Sequence, residues 1–169
     1  MTEVLLHFAV PFAALSYFRG WRAALAASLV ALFLDVDALL HVHRWVTHSL
    51  LTVGLISVTV LLLVRFFRPK DVGFGFAVVF GLMSHLALDL FTAYTPILWP
   101  LLGSSVLVDL RGLVHVSGDL GASFTAVLKT TPTAFSVFES FDGPLFTSEG
   151  LIVSVILVFS AVLYHVRKR

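Results

Sequence analysis

Histidine and aspartate residues recur near one end of four hydrophobic segments of this chain. Imidazole and carboxylate groups are ligands for divalent metals, and ionisable groups in or beside lipid are costly and rarely present without a function. Seven such residues are expected at one depth in a membrane: His7, Asp35, Asp37, His43, His48, His85 and Asp89. This set exceeds what one tetrahedral zinc ion needs, so it predicts two or more divalent ions. A mixed set of His and Asp ligands in a chain without cysteine favours zinc, with manganese and iron as alternatives.

The spacing of these residues supports shared ligation. His85 and Asp89 are four residues apart, which places them on one face of a helix. Asp35 and Asp37 are two apart and diverge by about 200° on an ideal helix. Both reach one site only if the helix unwinds there; otherwise one is a ligand and the other its hydrogen-bonding partner. Taken singly, each residue could be a helix cap or an interhelical contact. Three further histidines are left outside the set: His41, His115 and His165.

Hydrophobic helices must position these side chains. The chain is 59% hydrophobic and 12% charged, whereas soluble domains are about 45–50% apolar and about 25% charged. A spanning helix needs about 20 residues, and five apolar runs are candidates: residues 4–18, 23–40, 49–67, 72–91 and 150–166. The first run is short and contains Pro11. We therefore expect an all-α integral membrane protein, a single domain over residues 1–169 with about five transmembrane helices.

The basic residues predict the orientation. Eight of the eleven Lys and Arg residues fall on one side of the predicted bundle: Arg19, Arg22, Arg65, Arg68, Lys70, Arg167, Lys168 and Arg169. Short cytoplasmic loops are enriched in these residues. The N-terminus is therefore predicted outside the plasma membrane and the C-terminus in the cytoplasm, which places the His/Asp level toward the outer face.

The long outer connection, residues 92–149, is expected to cover that face. It begins with an apolar, aromatic run over residues 94–102, whose two prolines favour a re-entrant or interfacial segment over a sixth helix. Residues 106–110 and 113–116, around Arg111 and Gly112, are predicted to form a short hairpin. Residues 117–149 are interpreted as a cap.

Polar neighbours of the seven residues suit a reacting site. Arg44 could clamp a phosphate, although a lipid-headgroup anchor is an alternative. Thr47 could be a helix cap, and Thr92, three residues after Asp89, could hydrogen-bond a ligand. A carboxylate outside the metal shell, Asp35 or Asp37, could accept a proton.

Two blocks of the chain resemble the YdjM-like membrane-bound metal-dependent hydrolases. Residues 34–50, LDVDALLHVHRWVTHSL, resemble the D-x-D…H-R-G-x-T-H-S core of that family. Residues 85–94, followed by Trp99 and Pro100, resemble its block H-x-x-x-D-x-x-T with a later Trp-Pro, and His7 matches an early histidine. The resemblance covers about residues 5–105 and implies a hydrolase without naming a substrate. The chain departs from the family pattern at three positions beside the ligand-type residues. Trp45 and Thr95 replace the usual glycines, and Leu6 replaces the usual threonine. These departures affect the expected shape of the substrate more than metal binding.

The predicted function is a metal-dependent hydrolase acting on a membrane lipid or lipid-linked phosphoester, with amide hydrolysis left open. Two alternatives come from other classes. A divalent-metal transporter or sensor would need polar groups toward the inner side, where the spans are almost purely apolar. A non-catalytic cluster that only holds helices together would gain about 1 kcal/mol per contact. Nucleic acid is not an expected partner, since no sizeable basic outer face is predicted.

Overall fold

A computed structural model describes residues 3–42, 44–117, 119–135, 137, 139 and 145–168. Within these residues the chain forms five α-helices and one β-hairpin. The helices are α1 (Val4–Arg19), α2 (Trp21–Ala31), α3 (Leu50–Phe67), α4 (Val72–Thr92) and α5 (Ser148–Arg167), and the strands are β1 (Ser104–Ser117) and β2 (Asp119–Pro132). A 3-10 helix, Leu32–Leu40, continues α2, and single 3-10 turns precede α3 (Val46–His48) and α4 (Pro69–Asp71).

Four helical segments are long and apolar enough to cross a membrane. They are Trp21–Leu40, Leu50–Phe67, Pro69–Thr92 and Ser148–Arg167. The remaining helix, α1, has 16 residues and includes the buried Pro11. About five spanning helices were expected; the described residues contain four candidates and one shorter apolar helix.

Small residues set the distance between α2 and α4. The helices are arranged with α1 against α2 and α5, and with α4 against α2 and α3. Ala27 and Ala31 of α2 are fully buried, and Ala77 of α4 is 2% exposed. A Cβ atom added at Gly81 would lie 2.6 Å from the backbone oxygen of Ala27. In lipid, such close backbone packing is a main source of helix association, and here it joins the two helical segments that carry Asp35, His85 and Asp89.

The N-terminal ends of α1 and α5 are joined by hydrogen bonds. The Thr147 hydroxyl donates to Oε1 of the buried Glu3 over 2.5 Å, and the Val4 N–H donates to the Leu145 oxygen over 3.1 Å. Thr147 also caps α5 by accepting from the Gly150 N–H at 3.0 Å. A carboxylate is favoured at a helix N-terminus, so Glu3 stabilises the parallel arrangement of the two helices.

The hairpin overturns the expectation of a purely all-α fold. Strands β1 and β2 pair antiparallel along all 14 residues of each. The predicted turn at Arg111 and Gly112 is wrong, because Gly112 pairs with Phe124 and both predicted strands belong to β1. The alternation of apolar residues continues through Gly112, and only one strand can carry such an unbroken period of two.

The two faces of the hairpin differ in polarity. Val108 lies opposite Leu128 on the apolar face. On the other face, Asp109 accepts hydrogen bonds from Arg111 and Lys129 at 2.9 and 2.5 Å, which lowers the pKa of Asp109 to about 2.

The segment between α4 and β1 covers the start of α3 and contains no helix over residues 94–102, as the prolines predicted. The Leu50 N–H donates to the Ile97 oxygen at 2.8 Å, and the Ser49 hydroxyl donates to the Trp99 oxygen at 2.5 Å. The Trp99–Pro100 peptide is cis.

We predict that Gly81→Ala destabilises the protein by about 1–3 kcal/mol, the usual effect of overpacking. The added methyl meets the rigid backbone of Ala27 rather than a side chain that can move. The matched control is Gly54→Ala in α3, where nothing lies within 4 Å of the new Cβ and alanine favours the helix by about 1 kcal/mol. Thermal unfolding in detergent measures both; equal melting temperatures would contradict the role of Gly81.

Candidate metal centre

Five of the seven predicted ligands meet in one buried cluster. His7 comes from α1, Asp35 from the 3-10 extension of α2, His48 from the turn before α3, and His85 and Asp89 from α4. Each exposes 4% of its surface or less. Two overlapping groups within this cluster could hold a metal ion: His7 with His85 and Asp89, and Asp35 with His48 and His85.

The 3-10 helix explains how Asp35 and Asp37 both face the cluster. The nine residues Leu32–Leu40 have this tighter winding, although runs beyond three or four residues are uncommon. With three residues per turn, side chains two apart diverge by about 120° the short way round, against about 160° in an α-helix. The helix therefore tightens where unwinding was expected, which brings Asp35 and Asp37 closer to one side; they are 4% and 2% exposed.

Two imidazole nitrogens of the cluster lie at ligand-like distances from the same two carboxylate oxygens. Nε2 of His48 lies 3.5 Å from Oδ1 of Asp35 and 3.1 Å from Oδ2 of Asp89. Nε2 of His85 lies 3.6 Å from each of the same two oxygens. A tetrahedral zinc ion with bonds of about 2.0–2.1 Å separates its ligands by about 3.3–3.4 Å. These four separations are therefore compatible with ligands of a zinc-type ion.

The second oxygens of the same carboxylates face His7. Its Nδ1 lies 3.8 Å from Oδ2 of Asp35, and its Nε2 lies 3.6 Å from Oδ1 of Asp89. The His7 and His85 rings are 4.0 Å apart between centroids. Each carboxylate therefore has one oxygen toward His48 and His85 and the other toward a different ring nitrogen of His7.

Asp37 and Thr47 orient His48. Oδ2 of Asp37 accepts from the Thr47 hydroxyl at 2.6 Å and from the Trp45 N–H at 2.9 Å, and it lies 3.2 Å from Nδ1 of His48. A carboxylate on the far nitrogen of a ligating histidine sets its tautomer and ring direction. Asp37 is therefore placed to position His48, while Nε2 of His48 faces Asp35 and Asp89.

The cluster has a strongly negative electrostatic character. Three buried carboxylates, those of Asp35, Asp37 and Asp89, lie close together, and Nη2 of Arg44 is 3.2 Å from Oδ1 of Asp89. One guanidinium supplies a single positive charge, so protonated imidazoles or bound cations must compensate the others. Burial opposes protonation of His48, yet the three carboxylates outweigh burial and raise the pKa of His48 to about 10.

Several donor atoms in the cluster lack hydrogen bonds to other described residues. They include both ring nitrogens of His7, both of His85, and Oδ2 of Asp89. Buried polar atoms are normally satisfied, and leaving one unsatisfied costs about 1–3 kcal/mol. Metal coordination would satisfy the atoms that face the other donors, among them Nε2 of His85 and Oδ2 of Asp89.

The remaining predicted residues have different outcomes. His43 lies outside the described residues. His41 is exposed, and its φ of 60° ends the 3-10 helix. Thr92 reaches only the backbone oxygen of Asp89, at 3.4 Å.

The structure corrects the interpretation of Thr47 as a helix cap. Ser49 caps α3 by accepting from the Leu51 N–H at 3.2 Å, which leaves the Thr47 hydroxyl to Asp37 and His48. The sequence signal for this contact was weak, since any threonine before a helix also suits a cap.

Trp45 is compatible with the geometry of the cluster. Its φ of −79° is not a conformation that requires glycine, and its side chain is 39% exposed. Only its backbone N–H bonds Asp37.

These features define an integral membrane protein with a buried His/Asp cluster that could hold metal ions. A model of the family described as YdjM inner membrane protein matches residues 1–167. The chain therefore belongs to the YdjM inner membrane protein family, and the predicted resemblance is confirmed. No curated protein and no solved structure shows significant similarity to it.

We predict that His85→Ala and Asp89→Ala lose bound zinc, because each removes one of the facing imidazole and carboxylate donors of the cluster. The variants Asp37→Ala and Thr47→Val should retain zinc but bind it about 10–100-fold more weakly. This is the expected effect of removing a residue that positions a metal ligand without binding the metal itself. Elemental mass spectrometry after dialysis against buffered zinc measures both effects.

The control is Asp71→Asn, at the opposite end of α4. Equal zinc content in all variants would contradict the assignment, as would a wild-type protein that binds neither zinc nor manganese.

Proposed function

We propose that this protein is a membrane-embedded metal-dependent hydrolase that acts on a lipid or lipid-linked phosphoester near one membrane face. The observation that carries the proposal is the buried set of donors on Asp35, His48, His85 and Asp89, in which each imidazole nitrogen lies 3.1–3.6 Å from both carboxylates, as metal ligands do. A second ion would use the group formed by His7, His85 and Asp89.

Bound divalent ions supply Lewis acidity and make water a nucleophile near neutral pH. The protein contributes the preorganised donors and excludes bulk water from the buried cluster. Asp37 keeps Nδ1 of His48 occupied, so Nε2 faces the reacting region. A donor set of imidazoles and carboxylates suits zinc best, with manganese and iron as alternatives.

Arg44 is the residue that we assign to the substrate phosphate. Its guanidinium contacts Asp89 through Nη2, and its Nε has no hydrogen-bond acceptor among the described residues. A guanidinium held in this way can donate to a phosphoryl oxygen and stabilise the negative charge that develops during hydrolysis. This role favours a phosphoester over an amide substrate.

The packing of α2 on α4 supports hydrolysis over ion transport. A transporter needs polar groups that continue through the membrane. Beyond the cluster, the contact between α2 and α4 is formed by Ala27, Ala31, Ala77 and Gly81. The 2.6 Å between a Cβ at Gly81 and the Ala27 oxygen leaves no room there for an ion.

We expect zinc- or manganese-loaded protein to release phosphate from one or more of phosphatidic acid, phosphatidylglycerol phosphate and a polyprenyl diphosphate. Arg44→Ala should lower kcat by about 10²-fold, the usual effect of removing a donor to a developing charge, while zinc content stays unchanged. Asp89→Ala should abolish the reaction, and Asp71→Asn should leave it intact. Metal-loaded protein that releases no phosphate from any of these lipids would refute the phosphoester assignment.

A further inference from the structure

A cleft separates α2 from α3 on the surface of the bundle. Both helices contact α4, whereas in the described part of the chain they make few contacts with each other. The resulting cleft has a volume of about 150 Å³, and Val78 and Leu82 of α4 form its floor. Both floor residues are at least 94% buried, so the cleft reaches the interior of the bundle.

The walls of this α2–α3 cleft are hydrocarbon. Val30 and Phe33 line one side, and Ile56 and Val60 line the other. Phe33 is 68% exposed and Ile56 is 41% exposed, so the mouth opens on the outer surface of spanning helices. At that position the surrounding medium is the acyl-chain region of the bilayer, and apolar walls favour hydrocarbon over water.

One residue of the cleft also belongs to the surroundings of the metal centre. Thr47 lines the cleft, while its hydroxyl donates to Asp37 at 2.6 Å and lies 3.0 Å from Nδ1 of His48. Leu34, another lining residue, directly precedes Asp35. The apolar cleft is therefore continuous with the cluster at one end.

We propose that the α2–α3 cleft binds the hydrocarbon chain of a membrane lipid whose phosphorylated head lies at the metal centre. The substrate then enters sideways from the bilayer, and the length of its chain contributes to binding. This inference rests on the proposed function for the identity of the head group. The binding of the chain itself requires only the cleft and the bilayer.

A larger groove does not offer the same function. It lies between α1 and α5, has a volume of about 460 Å³ and is lined by residues such as Phe8, Val158 and Phe159. None of its lining residues belongs to the cluster or contacts Asp37. Phe8 directly follows His7 in α1, but among the described residues no side chain that lines this groove contacts His48 as Thr47 of the α2–α3 cleft does.

Photo-crosslinking tests the cleft directly. The probe is phosphatidic acid with a diazirine near the end of one acyl chain, mixed into vesicles that contain the full-length protein. We expect crosslinks concentrated on the peptides that carry Phe33, Val60 and Val78. Val60→Trp fills the cleft and should lower this crosslinking at least about tenfold, the change expected when about 1.4 kcal/mol of hydrocarbon burial is lost.

The matched control is Leu62→Trp, two residues further along α3. Leu62 is 55% exposed and does not line the cleft, so crosslinking in this variant should equal that of the wild type. Crosslinks spread evenly over the lipid-facing helices, or unaffected by Val60→Trp, would overturn the proposal. Zinc content measured on both variants confirms that the metal centre is intact.

Activity measurements separate this inference from the proposed function. If the protein hydrolyses phosphoesters, Val60→Trp should lower kcat/KM about tenfold for the long-chain lipid and leave hydrolysis of its dibutyryl analogue unchanged. An equal loss for both lipids would contradict chain binding in the cleft. Cleft-specific crosslinking without any hydrolysis would refute the proposed function and leave the lipid site established.

Discussion

Three carboxylates buried in a hydrophobic bundle impose the constraint on which the rest of this structure depends. Asp35, Asp37 and Asp89 are each at most 4% exposed, and buried charges are tolerated only when they are paired or bound to metal. The surrounding elements supply the partners: imidazoles from α1, from α4 and from the turn before α3, and a guanidinium from Arg44. Because these contacts act over a few ångströms, the helices that carry them must be held at fixed separations.

Two parts of the fold hold those separations. On one side of the cluster, the contact of Gly81 with Ala27 brings α2 and α4 together. On the other side, the loop before α3 contains two non-glycine residues with left-handed backbone, His41 at φ 60° and Arg44 at φ 57°. Such conformations cost about 1–3 kcal/mol and persist where neighbouring contacts enforce them. Here the Trp45 N–H of the loop donates to Asp37, and the Arg44 guanidinium donates to Asp89. The strained backbone conformations therefore occur in the same loop that supplies these two hydrogen-bond donors.

Residue spacing predicted the parts of the structure that depend on one segment at a time. The apolar runs coincide with helices, and the four-residue spacing of His85 and Asp89 placed both on one face of α4. Two predictions failed where partners distant in sequence decide the outcome. The hairpin turn was misplaced because Gly112 is a typical turn residue; the unbroken alternation through Gly112 indicates one strand, and its pairing with Phe124 of β2 establishes it. Thr47 was open to interpretation as a cap because its bond to Asp37 spans ten residues.

The sequence by itself determined that the chain forms hydrophobic helices of membrane-spanning length. It also determined that the histidine and aspartate residues at the ends of those helices collect at one level. Those properties follow from local composition and from the pitch of a helix. Only the tertiary structure decided that Asp35 and Asp89 face the imidazoles as a set of four donors while Asp37 turns to His48. That assignment depends on distances between helices and on loop dihedral angles. Both arise from packing between segments far apart in the chain, which no single segment encodes.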